Sequence, residues 1–155
     1  MSVALVRNCV LPPDLYYNIQ DHLWVRVNAD GTATIGLTDA AQTIAGAILY
    51  VNGKTPGKVY ARGVTVASVE SGKWIGPIRT PIAGKLLEVN PQVIADAGLI
   101  NRSPYRKGWI VRIEPTQLQE DLKLLVTGQA ALAAYDAFMG EHGLSDCIHC
   151  EGFEV

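Results

Sequence analysis

The sequence is short of charge. Of its 155 residues 18% are Asp, Glu, Lys or Arg, and 15 acidic against 13 basic side chains leave a net charge of −2. Such a balance gives no electrostatic reason to expect nucleic acid or an anionic membrane as partner. Long hydrophobic runs are missing too, and no apolar stretch approaches the roughly 18 residues of a membrane span. The opening MSVALVRNCVLPPDLYY does not read as a signal peptide, because Arg7 interrupts its short apolar stretch and no small-residue cleavage pattern follows. The expected setting is cytoplasmic. Cysteine is equally scarce. Three cysteines, an odd number, do not make a disulfide scaffold, and cytosolic thiols are expected to stay reduced. What is abundant is apolar surface: 48% of residues are hydrophobic, enough for one domain with a real core spanning residues 1–155.

A repeat points to the architecture. IAGAILYVN (Ile44 to Asn52) and IAGKLLEVN (Ile82 to Asn90) share six of nine positions at an offset of 38 residues. Two copies are too few for a solenoid and suit a pseudo-twofold sandwich whose halves supply equivalent strands. Around them lie short strand signals. His22 to Val27 leads through the turn Asn28-Ala29-Asp30-Gly31 into TATIGL, and V-T-V-A-S-V (Val64 to Val69) reads as a strand buried on at least one face. Glycine and proline punctuate the rest, arguing for a sandwich or flattened barrel.

Helices are expected as a short insert and at the end. Asn90 before Pro91 offers an N-cap for QVIADA, with Gly98 as its stop. After the strand GWIVRI, Thr116 and Gln119 have capping-box spacing, with Leu118, Leu122 and Leu125 on one face. Thr127 is a candidate cap for a second helix carrying Leu132, Tyr135 and Met139, a stripe expected to pack onto the sandwich. The mostly β core is thus expected over about residues 21–114, a helical extension over about 116–142, and a tail over 145–155.

Between the two repeat copies the chain reads VASVESGKWIGPIRTPIAG. Here Lys73 stands where one apolar strand turns into the next. A connection of this kind lies at an exposed corner, and Gly72 can take a positive φ at no Cβ cost, so a tight turn is expected directly before the lysine. Loop lysines are common, and the turn alone assigns Lys73 nothing.

A wider set of residues does. His22, Trp24 to Val27, Asp30 to Gly36, Leu37-Thr38-Asp39, Ala41-Gln42, Glu70-Ser71-Gly72-Lys73, Ser103-Pro104-Tyr105 and Gly108-Trp109 occur in the order found in lipoyl carriers. Over about residues 21–114 the chain resembles the H protein of the glycine cleavage system. The resemblance implies a lipoyl-domain fold (a hammerhead, or barrel-sandwich hybrid) and a lipoyl amide on Lys73 within the E-S-x-K turn. It also implies that Glu70 contacts the attaching enzyme, that Glu70, Ser71, Gly72 and Trp74 belong with Lys73 to the cofactor-binding site, and that the protein is a carrier rather than an enzyme. A biotin carrier would share the hairpin lysine, but that lysine normally sits between methionines, whereas Lys73 lies between Gly72 and Trp74. An unmodified interaction domain on the same fold stays open.

Three departures from the glycine-cleavage pattern stand out. Lys73 is followed by the apolar, basic and stiff Trp74-Ile75-Gly76-Pro77-Ile78-Arg79. Trp74 either shields the arm and docks partners or packs back on its own strand. Leu23 stands where H proteins commonly carry a glutamate that helps hold an amine-bearing intermediate. The tail carries a CxxC, Cys147 and Cys150, near His142 and His149. This pair is a redox candidate for the arm or a partner, a weak zinc candidate by its short, irregular spacing, or incidental; Cys9 reads as a buried or idle thiol. These departures resemble the lipoate-binding proteins that accompany heterodisulfide-reductase-like complexes in sulfur-oxidising prokaryotes. That resemblance implies sulfur-bound cargo and a heterodisulfide-reductase-like complex or sulfur transferases as partners. Dihydrolipoamide dehydrogenase is a further candidate partner, and a monomer is expected. The glycine cleavage H protein, carrying an aminomethyl group, is the alternative.

Overall fold

The structure, a computed structural model, describes residues 4–154, so the first three residues of the opening stretch lie outside it. In chain order the elements are β1 (Leu5–Val6), β2 (Cys9–Val10), β3 (Tyr16–Asn18), β4 (Leu23–Val27), β5 (Ala33–Leu37), α1 (Asp39–Ala45), β6 (Ile48–Gly53), β7 (Val59–Tyr60), β8 (Thr65–Ser71) and β9 (Ile75–Arg79). There follow β10 (Gly84–Val89), α2 (Pro91–Ala95), α3 (Leu99–Arg102), β11 (Val111–Pro115), α4 (Leu118–Leu122), β12 (Val126–Thr127) and α5 (Gly128–Glu141). A seven-stranded sheet in the order β12-β3-β4-β5-β11-β10-β7 faces a three-stranded sheet β6-β8-β9, and β1 pairs with β2 apart from both. This is the expected mostly β sandwich, not a closed barrel.

The repeat is structural. Its two copies supply β6 and β10, one in each main sheet. Each strand has a register shift at the equivalent place, between Ile48 and Tyr50 in β6 and between Leu86 and Glu88 in β10. A bulge bends its strand and increases local twist, so the matched pair curves the two sheets in a related way. Likeness stops at the first three letters: Ile44-Ala45-Gly46 ends α1, whereas Ile82-Ala83-Gly84 enters a strand.

Strand alternation explains the contiguous Leu23-Trp24-Val25. Leu23 and Val25 point into the core between the sheets, together with Ile35, Val69, Ile82, Leu86 and Ile113. Trp24 points the other way, into a second core built from the N-terminal strands, Tyr105 and α5. The central strand is therefore buried on both faces. Trp24 donates from Nε1 to the carbonyls of Leu37 and Pro104, both at 3.0 Å, which satisfies its one polar atom. The expected stripe on α5 lands in this second core, where Tyr135 and Met139 are buried and Leu132 packs against them.

Most sequence expectations for the elements hold, with three corrections. The β4–β5 turn closes through Asn28 N–H to Thr32 O at 2.8 Å, as expected for a hairpin. Asn90 caps α2, its Oδ1 accepting from Gln92 N–H at 3.0 Å. However, α2 stops at Asp96, and Gly98 is instead the residue that opens α3. Thr116 makes no capping box: α4 starts from Gln117 without a side-chain cap, because Thr116 N–H is used on Ala83 O at 3.0 Å. Thr127 sits at the cap position of α5, yet its hydroxyl donates to Leu15 O at 2.7 Å, tying the helix to the N-terminal segment instead. For both threonines a long-range partner outcompetes the local one. Leu118, Leu122 and Leu125 pack on the main core as their spacing implied.

His22 leads into β4 with φ of 62°, a left-handed conformation uncommon outside glycine. Its ring lies edge-on to Phe138 at 5.3 Å and its Nδ1 is buried without a partner. Burial pushes its pKa below the ordinary 6.5, with Asp21 opposing and His142 reinforcing the shift. A histidine held neutral in the fold makes the unfolded chain bind more protons in acid. Its contribution is therefore complete above about pH 6.5 and lost as the pH falls below that value. His22→Asn, which tolerates the left-handed backbone, should flatten the fall in stability between about pH 6.5 and pH 5. Denaturant unfolding at several pH values checks this, and an unchanged pH dependence would refute the assignment.

Candidate functional site

The β8–β9 hairpin presents the lysine. Ser71 N–H donates to Trp74 O at 2.8 Å, closing a turn whose tip is Gly72 and Lys73, both exposed. The buried Ser71 hydroxyl stiffens the turn from inside, accepting from Lys73 N–H and donating to Trp74 O, each at 3.4 Å. Glu70 is half-buried on β8, paired across the sheet with Tyr50 on one side and Ile75 on the other. Gly72 is not in a positive-φ conformation, and nothing lies within 4 Å of the position its Cβ would take. The turn closes with ordinary backbone angles there, so the expected glycine requirement is corrected. Trp74 is half-buried, and its ring covers Gly76 so closely that a Cβ on Gly76 would collide with it. It packs back on its own hairpin and braces the tip.

Lys73 does not stand in empty solvent. Its stem lies against Gly46, where an added Cβ would be 3.3 Å from the lysine Cε. Gly46 ends α1 at φ 75° and ψ −162°, a combination that other residues avoid. Beside them opens a cavity of about 330 Å³. Its walls are Gln42 and Thr43 of α1, Gly46 and Ala47 after it, Gly98, Asn101 and Arg102 around α3, and Ile148 and Cys150 of the tail. Among the described residues that line it there is no carboxylate.

Asn101 aligns these walls. Its Oδ1 accepts from Ile48 N–H at 2.9 Å, while its Nδ2 donates to Gly46 O at 2.8 Å and Gln42 Oε1 at 3.2 Å. The tail is fastened just as specifically. Gln42 Nε2 donates to Ile148 O at 2.8 Å, and Ile148 N–H donates to Thr43 Oγ1 at 3.1 Å. His149 Nε2 meets Asp39 Oδ2 at 2.6 Å, and its ring stacks on Phe153 at 4.0 Å.

The cysteines depart from their expected state. Cys147 is joined to Cys9 by a disulfide across 138 residues of sequence, with Cα atoms 4.9 Å apart. Cys9 is therefore neither idle nor reduced, and Cys147 is not one half of a free CxxC dithiol. The tail packs on β2 and brings the two together. Cys150 remains a free, exposed thiol. The tail zinc set does not assemble either: His142 Nδ1 lies on Phe138 O at 2.9 Å and His149 on Asp39. Leu23 is fully buried in the main core, so the position offers no polar group to a bound intermediate.

Sequence reading found the lysine and its turn but missed the floor beneath it. Gly46 and Asn101 carried no motif. The one available signal was that Ile44-Ala45-Gly46 repeats at Ile82-Ala83-Gly84, and it misleads, because the first copy ends a helix and the second enters a strand.

A rigid β-hairpin that displays a lysine at its tip suits the class of carriers that hold a prosthetic group on a flexible arm and offer it to other enzymes, although the turn alone does not assign that role. Comparison with known proteins narrows the class. The glycine cleavage H-protein profile matches residues 15–137. "Glycine cleavage system H protein 2" of Aquifex aeolicus (strain VF5) is 47% identical over 131 residues, covering 84% of this chain and 81% of that protein. "Probable glycine cleavage system H protein 2" of Sulfurisphaera tokodaii is 41% identical, over 84% of this chain and 89% of that one. The crystal structure of a glycine cleavage system H protein from Mycobacterium marinum superposes with a TM-score of 0.70 at 28% identity, covering 86% of this chain and all of that one. The chain belongs to the glycine cleavage H-protein family. Members of that family are carriers rather than catalysts, and they hold lipoate covalently on a lysine.

Gly46→Ala should lower stability by about 1–3 kcal/mol through backbone strain alone. Its methyl group also meets the Lys73 stem, so the lysine should leave the cavity mouth. Denaturant unfolding measures the first effect and the reactivity of Lys73 toward an amine reagent the second. Wild-type values for both would show that the floor does not hold the stem.

Proposed function

We propose that this chain is a lipoyl carrier whose arm is attached to Lys73 and whose cargo is held through sulfur. In this reading it shuttles sulfur-bound intermediates and reducing equivalents among enzymes of a heterodisulfide-reductase-like sulfur oxidation pathway. The observation that carries the proposal is the pairing of an exposed lysine at a stiff hairpin tip with a cavity walled by amides, a guanidinium and a thiol. Acylation removes the lysine's charge and leaves a tether on the order of 10–15 Å long. A dithiolane on that tether opens to thiolates and can hold sulfur or electrons for the next enzyme. Glu70, half-buried beside the tip, is the residue through which the lipoate-attaching enzyme would recognise the turn. Dihydrolipoamide dehydrogenase is a candidate for resetting the arm, and the setting proposed is cytoplasmic.

The names of the similar proteins favour a second reading, a glycine cleavage H protein carrying an aminomethyl group. Against it stand the buried Leu23 and the cavity without a carboxylate among its described lining residues, which leave an amine without a counter-charge. One Aquifex strain holds relatives numbered 2, 3 and 5, which is compatible with division of labour among paralogues.

Protein made in cells that attach lipoate should show the lipoyl increment in intact mass, and Lys73→Arg should abolish it with little change in stability. An increment that persists in Lys73→Arg puts the arm elsewhere. The lipoylated protein is then offered to glycine-cleavage enzymes and, separately, to a heterodisulfide-reductase-like complex with a sulfur donor. Turnover should occur with the second and be at least about tenfold weaker with the first, the factor expected when a charged partner group is missing. Efficient glycine turnover would establish the second reading instead.

A further inference from the structure

We propose that the three cysteines form an intrachain thiol–disulfide relay for the arm, in which Cys150 exchanges with the dithiolane and Cys147 and Cys9 store the electron pair. The inference rests on the carrier reading above, which puts lipoate on Lys73.

Two independent features converge. Cys150 is a free thiol on the wall of the same cavity that Lys73 borders, so an arm pivoting at Lys73 reaches it without leaving the molecule. Three residues earlier, Cys147 is bound to Cys9, and both sulfurs belong to buried residues, 5% and 2% exposed. A bulky external thiol therefore has no direct approach to that disulfide. Cys150 is the accessible member of a CxxC pair whose other member is sealed. Residues 144–150 form neither helix nor strand, so bringing Cys150 to Cys147 breaks no backbone ladder and releases only the tail's ties at Ile148 and His149.

The exchange is balanced as follows. With Cys9 and Cys147 reduced, the Cys150 thiolate attacks one sulfur of the dithiolane. The ring S–S bond breaks, a Cys150–lipoyl disulfide forms, and the second lipoyl sulfur leaves as a thiolate that takes a proton. The Cys147 thiolate then attacks Cys150 Sγ, forming Cys147–Cys150 and releasing the second lipoyl thiol. Finally the Cys9 thiolate attacks Cys147 Sγ, forming Cys9–Cys147 and returning Cys150 to its thiol. Two electrons and two protons pass from Cys9 and Cys147 to the arm, which is the only oxidant required. The end point is the state observed, a buried disulfide with Cys150 free beside Lys73. Run backwards, the same steps load the disulfide's oxidising equivalents onto a reduced arm.

Two readouts on the full-length protein test this. In lipoylated Cys147→Ser, which lacks the resolving thiol, acid quench and thiol alkylation followed by peptide mapping should reveal a Lys73 peptide linked through the lipoyl group to the Cys150 peptide. In reduced protein given free oxidised lipoamide, the Cys9–Cys147 disulfide should form, and Cys150→Ser should slow it roughly tenfold or more, the loss expected when a nearby exchange partner is removed. Cys150→Ser leaves Cys9 and Cys147 in place, so the tail can still be tethered. Absence of the linked peptide on lipoylated protein, or equal rates with and without Cys150, overturns the relay. If Lys73 carries no lipoyl mass, the carrier reading fails by itself, and the free-lipoamide rates still judge the relay.

Discussion

One buried carboxylate holds the functional end of this protein together. Asp39 has no exposed surface. Its Oδ2 accepts from Val10 N–H at 2.7 Å and from His149 Nε2 at 2.6 Å, and its Oδ1 accepts from Gln42 Nε2 at 2.9 Å. Its own N–H donates to the Tyr105 hydroxyl at 2.9 Å, and that hydroxyl donates onward to Val10 O at 2.6 Å. Strand β2, helix α1 and the C-terminal tail thus meet on one side chain, and the turn at Tyr105 joins through the same residue's backbone. Without it the buried Val10 N–H would lose its acceptor, at a cost of about 1–3 kcal/mol, whereas Gln42 Nε2 keeps Ile148 O and His149 is partly exposed. Gln42 extends the network to Asn101 and Ile148, which means that the cavity beside Lys73 is aligned by a group that never touches it.

The sandwich was legible because its signals are local. The Asn28–Gly31 turn, the alternation in β8, the Asn90-Pro91 cap and the stripe of α5 each depend on residues a few positions apart, and local hydrogen bonds and periodicity decide them. The repeat was legible for a related reason: β6 and β10 occupy equivalent places and keep their bulges 38 residues apart, so similar environments kept similar letters. The lysine was legible only through the resemblance of its whole neighbourhood, since nothing in the turn itself distinguishes it from other loop lysines.

What escaped sequence reading is decided across the chain. Nothing near Cys9 or Cys147 announces a bond over 138 residues, because its cause is the docking of the tail on β2. The same docking takes His149 to Asp39 and leaves Cys150 at the cavity, splitting a CxxC that reads as a unit into two cysteines with different surroundings. The caps failed likewise. Thr116 and Thr127 have side chains suited to start helices, yet long-range carbonyls at Ala83 and Leu15 claim their groups. Gly72 shows the converse. Its freedom to take positive φ is unused, and the glycine with a demanding backbone is Gly46, at the far side of the lysine stem.

On the proposed reading, with the arm on Lys73, the electrostatics of the cavity bear on cargo. Before attachment Lys73 and Arg102 both face it; acylation removes the first charge and leaves the guanidinium. Arg102 is paired with Asp96 at 2.5 Å, but both groups are more than a third exposed, so solvent screens the pair and its influence on the field is weak. The remaining lining is neutral amide, hydroxyl, thiol and hydrocarbon. A protonated amine entering such a space gives up hydration and finds no anion in return, which in a partly enclosed site is costly. In that reading a neutral sulfur-borne group enters at less electrostatic cost, and the guanidinium of Arg102 is the donor it meets. The cavity of the proposed carrier discriminates by what it withholds, and the same omission leaves the Cys150 thiol as its reactive wall.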